Sequence, residues 1–150
     1  MRTLGLDVGT KTVGVAVSDG LGLTAQAVTT VRRTNMKADL AALAELAREH
    51  EASRIVVGLP LNMDGSEGPR AEASRKFADA VSQALGLPVE FWDERLSTVA
   101  AERTLLEADL TRAKRRQVID QVAAQFILQG WLDAHRSTAD VHADDFDLES

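Results

Sequence analysis

Cysteine is absent from all 150 residues, which excludes disulfides, thiolate metal sites and a cysteine nucleophile, and fits a reducing compartment. No apolar run approaches the length needed to span a membrane. The chain enters its first predicted strand almost at once, without a charged-then-apolar leader, so the expected location is cytoplasmic with no membrane partner. Positive charge is also in short supply, with a net charge of −6, and that sign argues against a protein coated in a broad basic footprint. Location qualifies the sum. Asp140, Asp144, Asp145, Asp147 and Glu149 fall between Ser137 and Ser150 with no Lys or Arg among them, so the C-terminal stretch carries most of the bias. With Phe146 and Leu148 as its only large apolar residues, the segment 137–150 reads as an acidic disordered tail. Residues 1–136 are then one domain, and 45% hydrophobic with 27% charged content is ordinary for a soluble globular fold.

What is present is organised around Thr3 to Asp19, TLGLDVGTKTVGVAVSD, which reads as two short strands and a tight turn. Alternation puts Leu4, Leu6, Val8, Val13, Val15 and Val17 on one face, the core. Gly5, Asp7, Gly9, Gly14, Ala16 and Ser18 take the other, so Asp7 stands on a shallow floor open to a ligand or metal. The turn Gly9-Thr10-Lys11-Thr12 adds amides, hydroxyls and an ammonium suited to phosphate oxygens. A plain hairpin with a self-bonded Asp explains the same letters, so the case needs partners elsewhere.

Further along, Thr24 to Val31 reads as a third strand antiparallel to the second, and Asn35 to His50 as a helix with Met36, Leu40, Leu43 and Ala47 inward and Asp39 off the stripe. Arg54 to Gly58 (RIVVG) is a continuous apolar run, the mark of a parallel strand buried on both faces. The loop that follows holds two of the three prolines, at the strand end where open α/β sheets bind ligands. A helix is predicted over Pro69 to Leu85, with Ala73, Phe77, Ala80, Val81 and Ala84 inward and Gly86 as the stop. Val89 to Asp93 is the last strand. Ser97 or Thr98 caps a helix through about Glu107, and a final helix runs from about Thr111 to His135. The order describes a mixed α/β domain with an antiparallel half and a parallel half.

Three acids occupy unusual positions: Asp7 in mid-strand, Glu94 where the last strand runs out, and Asp120 on the apolar side of the last helix, away from Gln121, Gln125 and Gln129 on its wet side. A carboxylate placed like Asp120 needs a cation. Arg116, one turn earlier, supplies one structural answer, and a metal shared with the other acids supplies the functional one. If the three converge, repulsion between them calls for a divalent cation, and oxygen ligands without Cys or clustered His favour Mg²⁺ or Mn²⁺ over zinc.

The blocks LGLDVGTKTVGVAVSD, VVGLPLNMDGSEGPRA, DERLST and IDQVAAQFIL, in this order over about residues 3 to 133, resemble the YqgF/RuvX family of bacterial Holliday-junction resolvases and pre-16S rRNA processing nucleases. The resemblance implies a ribonuclease H-like α/β fold: a five-stranded mixed sheet, its first three strands antiparallel, with helices on both faces. It also implies an endonuclease hydrolysing phosphodiester bonds in branched DNA or precursor 16S rRNA, with Asp7, Glu94 and Asp120 as catalytic metal ligands for two Mg²⁺ or Mn²⁺ ions. The nucleic acid would then lie along Lys11, Asn62, Ser66, Arg70 and Arg95, and along Arg112, Lys114, Arg115 and Arg116 at the start of the last helix, whose cations oppose the helix dipole. One departure stands out: related RuvC-type resolvases carry a further acid one turn away on the last helix, where Gln117 and Ala123 stand here, leaving Asp93 as the further carboxylate at hand. A homodimer is expected for a symmetric junction substrate and a monomer for RNA trimming. Two rivals share the pattern. One is an ATP-binding protein of the actin and hexokinase type, whose first hairpin also reads Asp-x-Gly-Thr; the other is a non-catalytic RNA- or ribosome-assembly-binding module.

Overall fold

Alternating and continuous apolar runs form five strands: β1 (Arg2–Val8), β2 (Thr12–Ser18), β3 (Ala25–Arg32), β4 (Ala52–Leu59) and β5 (Val89–Asp93). Helix α1 (Met36–Glu49) links β3 to β4, α2 (Pro69–Leu85) links β4 to β5, and a 3₁₀ turn (Glu94–Leu96) follows β5. The computed structural model describes residues 2–96 and 119–135, the latter being one helix, α3. The predicted helix from Ser97 to Glu107, the start of the last helix and the acidic tail lie outside the described residues. No helix among those described is long and apolar enough to cross a membrane.

The strands make one sheet in the order β3-β2-β1-β4-β5. β1 pairs antiparallel with β2, and β2 with β3, while β1, β4 and β5 run parallel. Both halves of the mixed sheet are therefore as expected, with β3 one residue later and β4 longer at both ends than the sequence suggested. Each face carries its own core. Leu4, Leu6, Val13, Val15, Ile55 and Val57 meet Leu43 and Ala47 of α1 and Phe77, Ala78 and Val81 of α2. Burial of Phe77, 2% exposed, contributes roughly 2–3 kcal/mol. On the opposite face, Ala16, Ala25 and Val56 meet Ala123, Ala124, Ile127, Leu128, Trp131 and Leu132 of α3.

Two helix stripes differ from expectation. The helix starts where expected, with Asn35 as its cap, the side chain accepting from the Ala38 amide at 2.9 Å, yet Met36 is 44% exposed and Asp39 is 3% exposed. Asp39 is buried because it accepts from the Thr34 amide at 3.0 Å and faces the Arg33 guanidinium at 3.6 Å, so a paired charge takes a place that periodicity reserves for a hydrophobe. On α2 the inward residues are Ala71, Ser74, Phe77, Ala78 and Val81, whereas Ala73 and Ala84 are exposed. Alanine fits either environment and misleads a stripe drawn from hydropathy alone. Gly86, with φ 67°, ends the helix at the predicted place.

Candidate functional site

The face of the first hairpin that carries Asp7 is covered rather than open. A Cβ on Gly14 would lie 1.9 Å from the Asp120 carbonyl oxygen, and one on Gly5 would lie 2.7 Å from Leu128 Cβ. These glycines let the α3 backbone rest directly on the sheet; the shallow floor inferred from sequence is the seat of a helix. The consequence for the site is direct. Gly14 is the register partner of Asp7 across β1 and β2, so the same contact that seats α3 brings Asp120 alongside Asp7.

Asp120 has a partner that sequence did not suggest. The Thr12 hydroxyl, on the first residue of β2, donates to Asp120 Oδ2. Arg116 lies outside the described residues. Asp7 and Asp120 both line one cleft of about 890 Å³, together with Gly9, Thr10, Lys11, Thr12, Thr30, Arg32, Arg33 and Arg70. Two carboxylates thus share a wall with four cations, contributed by the β1–β2 turn, the end of β3 and the start of α2.

Glu94 stands at the same, C-terminal edge of the parallel strands. Its Oε1 would be 2.8 Å from a Cβ on Gly58, the β4 residue paired with Trp92 of β5. In the register of β1 with β4, Leu6 pairs with Val57, so Gly58 lies next to Asp7 and the glutamate leans over the side-chain-free position between them. Glu94 does not line the cleft of Asp7 and Asp120, and among the described residues no three His, Cys, Asp or Glu side chains stand close enough to hold a metal ion. The donor set still suits a hard cation: all oxygen, at one sheet edge, with a gap at Gly58 that any larger side chain would fill.

Of the predicted nucleic-acid contacts, Lys11 and Arg70 line the cleft. Asn62, Ser66 and Arg95 do not. Asn62 Nδ2 donates to Ser66 Oγ at 2.9 Å, closing the turn in the loop after β4. Arg95 grips Asp93, with Nη2 to Oδ2 at 2.7 Å, and donates from Nη1 to the Met63 carbonyl at 3.1 Å, which ties that loop to the end of β5. The Arg95 hydrogen bond holds the Asp93 carboxyl below its ordinary range, and the Ser66 hydroxyl does the same for Asp64. Asp93, the further acid suggested by sequence, is thereby committed to Arg95. Arg112, Lys114, Arg115 and Arg116 lie outside the described residues.

Thr12 stands in the sequence only as one hydroxyl of the phosphate-suited turn, and Thr30, Arg32 and Arg33 carry no mark there as site residues. Their signal was the pair of arginines at the end of a predicted third strand, but only an antiparallel return brings that end beside Asp7. Arg33 is a tether: its Nη1 donates to the Gly9 carbonyl at 2.8 Å, its guanidinium lies 4.7 Å from the Phe77 ring centroid, and its amide donates to the Lys11 carbonyl at 2.8 Å.

A family model for RuvX, described as Holliday junction resolvase, matches residues 1–134. The chain belongs to the RuvX family. Two relatives, each called "Putative pre-16S rRNA nuclease", come from Myxococcus xanthus and Moorella thermoacetica. The first is 77% identical over 150 residues, covering 99% of both chains; the second is 66% identical over 133 residues, covering 89% of this chain and 95% of the relative. Among solved structures, Thermus thermophilus RuvC in complex with Holliday junction substrate superposes with a TM-score of 0.59 over 92% of this chain and 97% of that one. At 16% identity this likeness speaks for the fold, and the RuvX chain shares the ribonuclease H-like architecture.

Proposed function

We propose that the chain is a divalent-metal-dependent endonuclease that hydrolyses phosphodiester bonds in structured nucleic acid, a four-way DNA junction or the precursor of 16S rRNA. The observation that carries this reading is the cleft that Asp7 and Asp120 line together with Lys11, Arg32, Arg33 and Arg70, with Thr12 holding Asp120. Membership of the RuvX family supports it. Asp7 and Asp120, with Glu94 at the neighbouring strand end, would hold two Mg²⁺ or Mn²⁺ ions. When bound, such ions supply charge to the phosphate oxygens and lower the pKa of an attacking water. The protein's own residues do the remaining work. The Thr12 hydroxyl fixes one Asp120 oxygen and so orients the carboxylate that would meet the cation, while Lys11 and Arg70 draw the phosphate backbone into the cleft. Within this proposal residues 1–136 are the catalytic domain, 137–150 an acidic tail, and the working place is the cytoplasm. A symmetric junction would require a homodimer.

The test is cleavage of end-labelled four-way DNA junction, linear duplex and structured precursor rRNA with Mg²⁺, Mn²⁺ or EDTA. Wild type should cut in either metal and stop in EDTA, with the preferred substrate naming the task, whereas Asp7→Asn and Asp120→Asn should fold, bind and fail to cut. Full activity in either variant rules the assignment out. Retained binding with no cutting by wild type on any substrate favours the non-catalytic RNA-binding module instead.

A further inference from the structure

The two arginines that end β3 are adjacent in sequence and opposite in placement. Arg33 turns toward α1 and α2, where Asp39, Gly9 and Phe77 occupy it. Arg32 is exposed and pairs in register with Thr12, the residue that donates to Asp120, so alternation sets it on the Asp7 and Asp120 face of the sheet. Thr30, two residues earlier on that face, pairs with Gly14, the residue on which Asp120 rests. Among the described residues no carboxylate forms an ion pair with Arg32, although the cleft it lines contains two.

Arg32 lies one strand from Thr12 and two strands from Asp7, a separation of about 10 Å at the usual strand spacing. A guanidinium at that distance is placed for a backbone phosphate flanking the one at the carboxylates, and its fork suits two phosphate oxygens at once. We infer that Arg32 is a phosphate-contacting residue that holds the nucleic-acid strand at the β3 edge of the cleft, so that the strand enters over β3 and β2 and reaches the acids at β1. This inference rests on the nucleic-acid reading of the cleft and adds the edge at which the strand is held. Lys11 alone, on a mobile four-carbon stem, would attract the strand without fixing its path.

The experiment measures binding of a fluorescein-labelled four-way DNA junction and of an RNA stem-loop to the full chain over a salt series, in Ca²⁺ to avoid cutting. Arg32→Ala should weaken binding about tenfold and reduce the slope of log affinity against log salt by about one unit. Arg32→Lys should keep the slope and recover part of the affinity, since the charge remains and the fork is lost. Lys76→Ala, an exposed cation on α2 away from the cleft, controls for general charge. An unchanged slope in Arg32→Ala overturns the inference, as does an equal loss of slope in Lys76→Ala or failure of the wild type to bind either probe. The nuclease reading fails separately: a wild type that binds with the Arg32-dependent slope but never cuts in Mg²⁺ or Mn²⁺ leaves this inference standing, and one that cuts while Arg32→Ala binds unchanged does the reverse.

Discussion

A single hydroxyl connects the first hairpin to the last helix. Thr12 and Asp120 are 108 positions apart, and the bond between them orients a carboxylate that sits half-buried against the sheet. Hydrogen bonds to charged groups contribute about 1.5–3 kcal/mol, so Thr12→Val should lower kcat/KM of cleavage by about tenfold or more while the fold persists. Thr12→Ser should restore most of it. Single-turnover cleavage beside thermal melts reads both effects, and a Thr12→Val protein that cuts like wild type would show that the bond has no part in the reaction. In the sequence Thr12 was one of several hydroxyls in a phosphate-suited turn. Its face was readable from alternation, but its partner was not, because nothing local specifies which helix crosses Gly14.

At the scale of elements, α3 shows how far periodicity carries. Its apolar side was readable, and Ala123, Ala124, Ile127 and Trp131 are indeed buried. The side assigned to water is different. Gln129 Oε1 accepts from the Ala25 amide at 2.9 Å and its Nε2 donates to the Leu23 carbonyl at 3.0 Å, while Gln125 Nε2 donates to the Ala25 carbonyl at 3.0 Å. The glutamines satisfy the open edge of β3 where it begins, a role that hydropathy scores as solvation. Gln129→Ala removes two of these bonds at a partly exposed site and should cost about 1–2 kcal/mol in urea unfolding, with faster hydrogen exchange at the Ala25 amide. An unaltered Ala25 exchange rate would mean that water replaces the side chain at no cost. The same limit explains Asp39 on α1, where a buried acid was placed off the stripe because its partner, Arg33, comes from the preceding strand end.

For the molecule as a whole, the topology gathers the C-terminal ends of β1, β4 and β5 at one edge, and α3 brings its acid to that edge from the other side of the chain. Carboxylates held together this way should bind divalent ions more tightly folded than unfolded. Mg²⁺ or Mn²⁺ at a hundredfold its dissociation constant should then stabilise the protein by about 2.7 kcal/mol, roughly 2–4 °C in Tm per kcal/mol. Asp7→Asn with Asp120→Asn should melt independently of metal. A wild-type Tm indifferent to both ions would remove the metal site from the proposal.

Local pattern by itself determined the strands of the first hairpin, the bounds of α2 and β5, the place where α1 begins and the buried strand Ile55 to Val57, because alternation, helix stops and continuous apolar runs are written within a few residues. It also marked Asp7 and Asp120 as acids in places that need a reason. Only the tertiary structure decided that Gly5 and Gly14 seat a helix, that Thr12 is the partner of Asp120, that Arg95 serves a loop, and that Arg32 and Arg33 face opposite ways beside the acids. Those outcomes depend on contacts between strands and helices far apart in the chain, and a residue's spacing from its neighbours holds no information about which distant backbone will lie against it.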